Sequence, residues 1–303
     1  MRITHHNPEP KDPRRVVVLG ANGFVARRLA KALADGKIPH AVIGSSQVDL
    51  LAPDAAGKLR DLLQPDDALV ITSALTPEKG KDVRTFMKNL GMIDSVCAAL
   101  DTVRCSQIIY LSSDAVYDDA DPLVREATPR TGQGLYGMMH VAREKMLESA
   151  AAGKTPIPLC IVRPCAIYGS DDTHNSYSPN RFMRTALKDR KITLFGQGEE
   201  QRDHVYISDV IRFLLTCLRH RSEGAVNIVS GKAVSFGEVA IAIAKLSAQP
   251  VQMENLTRGP GSIITHRHFD ISLRLRAFPE FHSTPLDVGL AESSNELAGT
   301  GPA

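Results

Sequence analysis

A buried strand that runs into a glycine turn and then a helix restricts the folds open to a chain more than any other pattern, and residues 15–36 read that way. "RVVVLG" (15–20) is apolar and β-branched, "ANG" (21–23) has turn composition, and "FVARRLAKALADG" (24–36) carries apolar residues at helical spacing. The alternation continues through "HAVIG" (40–44), a helical 54–64, "ALVITSA" (68–74), a helical 85–103 and "QIIYLSS" (107–113). Strands that are apolar at every position need cover on both faces, which helices on either side of a parallel sheet provide. The expected fold class is therefore α/β, a doubly wound parallel sheet with a smaller α+β C-terminal lobe.

That lobe is announced by a change of pattern. A further buried strand spans 159–169, and residues 170–200 are then rich in Ser, Asn, Asp and Gly, with a helix expected at 181–191 and a short strand at 192–196. Amphipathic helices follow at 208–221 and 235–249, opened by Ser208 and by Ser235, the latter with Glu238 at capping-box spacing. Residues 14–169 are expected to form the sheet domain and 170–290 mainly the lobe, the chain being free to cross back to the sheet. The polar stretches 1–13 and 291–303 have the composition of flexible ends.

Charge and cysteine usage exclude several function classes. Thirty-six basic and 34 acidic residues leave a net charge of +2 without long like-charge runs, so neither nucleic acid nor a membrane surface is expected as a partner. The five cysteines contain no CxxC pair, and the histidines show no metal-ligand spacing, so neither disulfides nor a metal are expected. With no apolar stretch near the ~18 residues of a membrane span, the reading is cytoplasmic.

The first turn carries chemistry. Gly20, Asn22 and Gly23, with Phe24, Val25 and the small Ala26, stand between strand and helix, where glycines let a pyrophosphate approach the free N–H groups of the helix start. The second strand ends in Ser45 and Ser46, where an acid would select NAD by holding the ribose 2′-hydroxyl. Arg27 stands on the preceding helix within reach of a 2′-phosphate, so NADP is the expected cofactor with NAD the alternative; a solvated Arg27 is an equal reading of that side chain. Asp49 and Leu50 either frame an adenine or cap the next helix, and Ala74, at the end of the 68–74 strand, faces the cofactor.

Four further stretches narrow the class. "YLSSDAVYD" (110–118), "YGMMHVARE" (136–144), "RPCAIYG" (163–169) and "GQGEEQRDHVYISDV" (196–210) follow the glycine loop in this order, and the chain resembles the extended short-chain dehydrogenase/reductase family of nucleotide-sugar epimerases, dehydratases and reductases. The resemblance implies a Rossmann sheet and a carbonyl or alcohol flanked by the Ser113 hydroxyl and the acid/base Tyr136. The family's lysine, which holds the nicotinamide ribose and lowers the tyrosine pKa, falls on His140 in this sequence. An i, i+4 spacing keeps both side chains on one helix face, but an imidazole is a weaker cation than an ammonium. That loss harms an oxidation-first mechanism more than a reduction.

Asp114 follows the serine and is followed by Ala115, so the glutamate base of the 4,6-dehydratases is absent; Asp114 either assists protonation or forms the strand-end turn. By resemblance Arg202 meets a substrate diphosphate, with Arg258 or Arg267 as a second arginine. The expected activity is reduction of a 4-keto sugar nucleotide; a 4-epimerase, or a homologue that kept the cofactor and lost turnover because of His140, are the alternatives. A homodimer through helices 85–103 and 136–150 is implied by the resemblance alone.

Overall fold

The computed structural model describes residues 2–118, 121–132, 134–153, 155–172 and 178–299. After a short β1 (Thr4–His5), the chain runs β2 (Arg15–Leu19), α1 (Phe24–Asp35), β3 (His40–Ile43), α2 (Ala55–Leu62), β4 (Asp67–Ile71), α3 (Val83–Leu100) and β5 (Gln107–Leu111). A 3-10 turn (Asp114–Val116) precedes α4 (Gly134–Ala151), β6 (Leu159–Pro164), β7 (Ala166–Tyr168), α5 (Asn180–Asp189) and β8 (Lys191–Phe195). Then come β9 (Gln201–Arg202), β10 (His204–Tyr206), α6 (Ile207–Arg219), β11 (Ser222–Ile228), β12 (Val234–Ser235), α7 (Phe236–Leu246), β13 (Gln252–Leu256), α8 (Ser272–Ala277) and α9 (Leu286–Leu297).

Seven strands make the central sheet in the order β1-β11-β6-β5-β4-β2-β3. All its pairings are parallel except β1 on β11. The strands are apolar throughout for the expected reason. Val16 and Val18 enter one core with Leu29, Leu33 and Phe213, while Val17 and Leu19 enter the other with Leu59, Ile93 and Val96. Order reverses between β2 and β4, which opens a crevice at the carboxyl ends of those strands, where doubly wound sheets place their ligands. The C-terminal lobe adds three two-stranded ladders, β10 with β7, β12 with β9 and β13 with β8.

Three expectations need correction. The strand expected over 159–169 is interrupted at Cys165: β6 stays in the central sheet while β7 leaves it to pair with β10. Ser208 does not open its helix, because α6 begins at Ile207 with Tyr206 as N-cap; Ser235 and Glu238 do form the capping box. The ends are held as well. Ile3 is buried, β1 pairs with β11, and the His5 ring nitrogen Nδ1 lies 2.9 Å from Ser222 Oγ. At the other end α9 runs to Leu297, its Leu290 fully buried and its Glu296 bonded to Arg28 at 2.7 Å. Polar composition concealed both contacts because the first rests on Ile3 and backbone pairing and the second on Leu290 and the bond from Arg28 to Glu296.

Candidate active site

A cleft of about 640 Å³ lies over the carboxyl ends of the central strands. One wall is the start of α1, Gly23 to Ala26, with Thr72 and Ala74 beyond β4. Gly23 caps α1 without a side-chain bond and the first turn holds no acid, so its N–H groups and positive end are left for an anion. Gly20 has φ +114°, and a Cβ there would lie 2.8 Å from Thr72 Oγ1 and 2.9 Å from Ser73 N. The glycine is thus demanded first by the neighbouring strand end, a reason sequence reasoning did not find.

The floor is built by the β5 end and by α4. Ser113 caps the 3-10 turn, accepting from Ala115 N at 3.1 Å, and its hydroxyl lowers the pKa of the Tyr136 phenol, with which it shares the cleft. Asp114 beside it is held by Arg267, whose Nη1 donates to the Asp114 carboxylate and to its carbonyl, both at 3.1 Å. The Tyr136 ring meets the His140 ring edge to face, centroids 4.8 Å apart. His140 is buried; its Nδ1 shares a 2.7 Å hydrogen bond with the Tyr110 hydroxyl, and its Nε2 has no partner. Ser113, Asp114, Tyr136 and His140 all line the cleft.

Electrostatics fix the resting protonation states. Burial, with the Asp114 carboxylate next, pushes the Tyr136 phenol up to about 12, a rise that Arg143 and the Ser113 hydroxyl oppose. Burial, with Arg143 next, pushes His140 down to about 3. At neutral pH the site therefore holds a protonated phenol beside a neutral imidazole.

The remaining sequence-derived residues separate. Arg202 lines the cleft and is oriented by Thr265, donating to its carbonyl at 2.7 Å and to its hydroxyl at 2.6 Å. Arg267 lines it too, whereas Arg258 is not among the lining residues: its guanidinium bonds Glu199, Glu200 and the Phe195 carbonyl, pulling Glu199 down to about 2. Arg258 is thus a local clamp, and Arg267 is the second arginine of the cleft. Arg27 donates to the Asn22 and Asp171 carbonyls, the latter at 2.9 Å, so its guanidinium is already engaged. Ser45, Ser46 and Asp49 are exposed and Leu50 is buried, and none of the four lines the cleft. Cys165 and Asp203, which sequence reasoning did not assign, also line it, Asp203 accepting from the N–H groups of Ser230 and Gly231. Both stand inside stretches quoted above, but nothing in their spacing marked them.

The residues fit a dinucleotide on two counts: the uncapped start of α1, and the buried, unpartnered His140 Nε2 some distance along the same cleft. Sheet and cleft together define a dinucleotide-binding α/β enzyme. Residues 16–229 match the NAD dependent epimerase/dehydratase family, and the chain belongs to it. It is 24% identical over 292 residues to the ADP-L-glycero-D-manno-heptose-6-epimerase of Cupriavidus pinatubonensis, covering 86% of this chain and 87% of that one. It is 29% identical over 236 residues to a 4-hydroxy-2-methyl-3-oxo-4-farnesyl-3,4-dihydroquinoline-1-oxide ketoreductase of Stigmatella aurantiaca, covering 72% and 69%. The crystal structure of a GDP-L-fucose synthetase from Naegleria fowleri bound to NADP superposes with TM-score 0.81 at 19% identity, covering 97% and 99%. Among the described residues no helix is long and apolar enough to cross a membrane, and no group of three or more His, Cys, Asp or Glu is placed to hold a metal.

Proposed function

We propose that this chain reduces the keto group of a 4-keto sugar nucleotide, with NADP(H) as the preferred cofactor and Tyr136 as proton donor. The observation that carries this reading is the pairing of a protonated Tyr136 with a neutral His140 in one cleft with the dinucleotide-binding turn. A phenol held in its protonated form is set to give a proton, which reduction needs, rather than to take one, as oxidation of an alcohol requires.

Bound nicotinamide supplies the hydride. The Ser113 hydroxyl polarises the substrate carbonyl, Tyr136 gives its phenolic proton to the oxygen as negative charge develops there, and His140, its Nε2 unpartnered, would help to hold the cofactor's ribose. Arg202 and Arg267 hold the substrate diphosphate, for which a planar guanidinium is suited. The turn that follows strand β3 carries Ser45 and Ser46 rather than an acid, which is the basis for preferring NADP. The protein is further proposed to be a homodimer through α3 and α4.

The test is consumption of NADPH with a panel of 4-keto sugar nucleotides. Tyr136→Phe should lower turnover by about 10²–10⁴-fold with NADPH binding retained; unchanged turnover would overturn the assignment. The heptose epimerase among the relatives motivates a second reading, a 4-epimerase. It predicts tightly retained NAD and an inverted sugar with no net cofactor use. A homologue without turnover is argued against by the presence of both Ser113 and Tyr136 in one cleft.

A further inference from the structure

The lysine that His140 replaces would do two things at once, contacting the ribose and placing a fixed charge beside the tyrosine. A neutral His140 can do the first only. One turn further along α4, on the face shared by positions 136 and 140, stands Arg143. Its side chain is fully buried, yet among the described residues no carboxylate pairs with it. Its partners are neutral: Nη2 donates to the Ser73 carbonyl at 2.7 Å, the guanidinium lies over the Tyr110 ring at 5.2 Å, Nη1 approaches Met139 Sδ at 3.9 Å, and Nε has no acceptor. Burying an unneutralised cation is costly, and an arginine cannot escape by losing its proton. The same Tyr110 also bonds His140, so one phenol stands between imidazole and guanidinium.

We propose that Arg143 is the displaced cation of this active site: it sets the acidity of Tyr136 through space, while His140 retains only the hydrogen-bonding part of the lysine's role. Arg143 is a positioning residue in this scheme, since it is not among the residues that line the cleft. The charge works in one direction on every neighbour. It lowers the Tyr136 and Tyr110 phenols and keeps His140 neutral. The other charged and titratable groups about this site are Asp114 on the 3-10 turn with its partner Arg267, Glu144 on α4, Cys97 and Asp94 on α3, Lys81 at the cleft rim, and Tyr117, Cys165, Asp172, Arg202 and Asp203 along the cleft wall. Asp114 opposes Arg143 at Tyr136, and Arg267 offsets part of that carboxylate's charge. As Tyr136 gives up its proton, a buried cation stabilises the phenolate that forms, and the poorly hydrated surroundings weaken its field less than water would.

The inference rests on Tyr136 being the proton donor, and its test reads ionisation rather than turnover so that the two can fail separately. A fluorinated tyrosine, more acidic than the natural residue, is placed at position 136 of the full chain and titrated by fluorine NMR. Arg143→Met should raise the midpoint by about one pH unit, a tenfold loss of acidity, and Arg143→Lys should move it much less. An unchanged midpoint in folded Arg143→Met overturns the proposal. If that variant does not fold, the polar but uncharged Arg143→Gln is titrated in its place: a raised midpoint supports the proposal and an unchanged one overturns it. Full activity of Tyr136→Phe would instead sink the proton-donor reading and leave these midpoints where they are.

Discussion

His140 occupies the slot where a lysine is expected, and its surroundings decide what an imidazole can do there. Its folded-state pKa of about 3 lies below the ordinary 6.5, and that of buried His204, at about 4, does too. The unfolded chain therefore binds protons more readily than the folded one between these values. The contribution of each neutral ring to stability is complete above pH ~6.5 and is lost as pH falls toward the folded value, at up to about 1.4 kcal/mol per pH unit for each ring. Urea unfolding between pH 7 and pH 4.5 should show this decline, and His140→Gln should lessen its slope; an unaltered slope would mean that His140 is not neutral and buried as described. For the same reason turnover should show no inflection from His140 across neutral pH.

Helix α4 delivers Tyr136 to Ser113 because it lies unusually close to the turn after β5. A Cβ on Gly137 would stand 2.2 Å from the Ala115 carbonyl oxygen. Helix propensity alone would make Gly137→Ala stabilising by up to about 1 kcal/mol. The clash involves rigid backbone and should win, with a net loss of about 1–3 kcal/mol, a lower melting temperature and a reduced turnover as Tyr136 moves from Ser113. A variant that melts higher than the parent would refute the close approach. The same helix is fastened to the sheet through Glu144, buried and bonded to Arg163 at 2.8 and 2.9 Å, to Ser112 Oγ at 2.6 Å and to Arg130 at 2.6 Å. Removing one partner of such a network leaves a buried charge uncompensated, so its function here is placement.

Across the whole molecule, the cleft joins the sheet domain to strands that the chain reaches only after residue 200. Arg202→Ala should raise KM for a sugar nucleotide about 10–100-fold with NADPH binding unchanged, the loss of a charge-assisted contact, while Arg258→Ala should leave KM alone. Equal effects would put both arginines, or neither, on the substrate. The exposed Val83, Met87, Leu135 and Met138 lie on α3 and α4, the helices proposed for the dimer, so light scattering should give twice the 32.9 kDa chain mass. The strand-helix alternation and the glycine turn were legible along the chain because each rests on local periodicity or on a spacing of a few residues, whereas Ser113 and Tyr136, on separate elements, were reached only through the family resemblance. Tertiary structure alone decided the rest. It sorted Arg267 from Arg258, interrupted the strand at Cys165, tied β1 to β11, and set an unpaired Arg143 beside a neutral imidazole. Each of these depends on which distant groups meet and on how much water burial removes from them, and neither quantity is written in the order of residues.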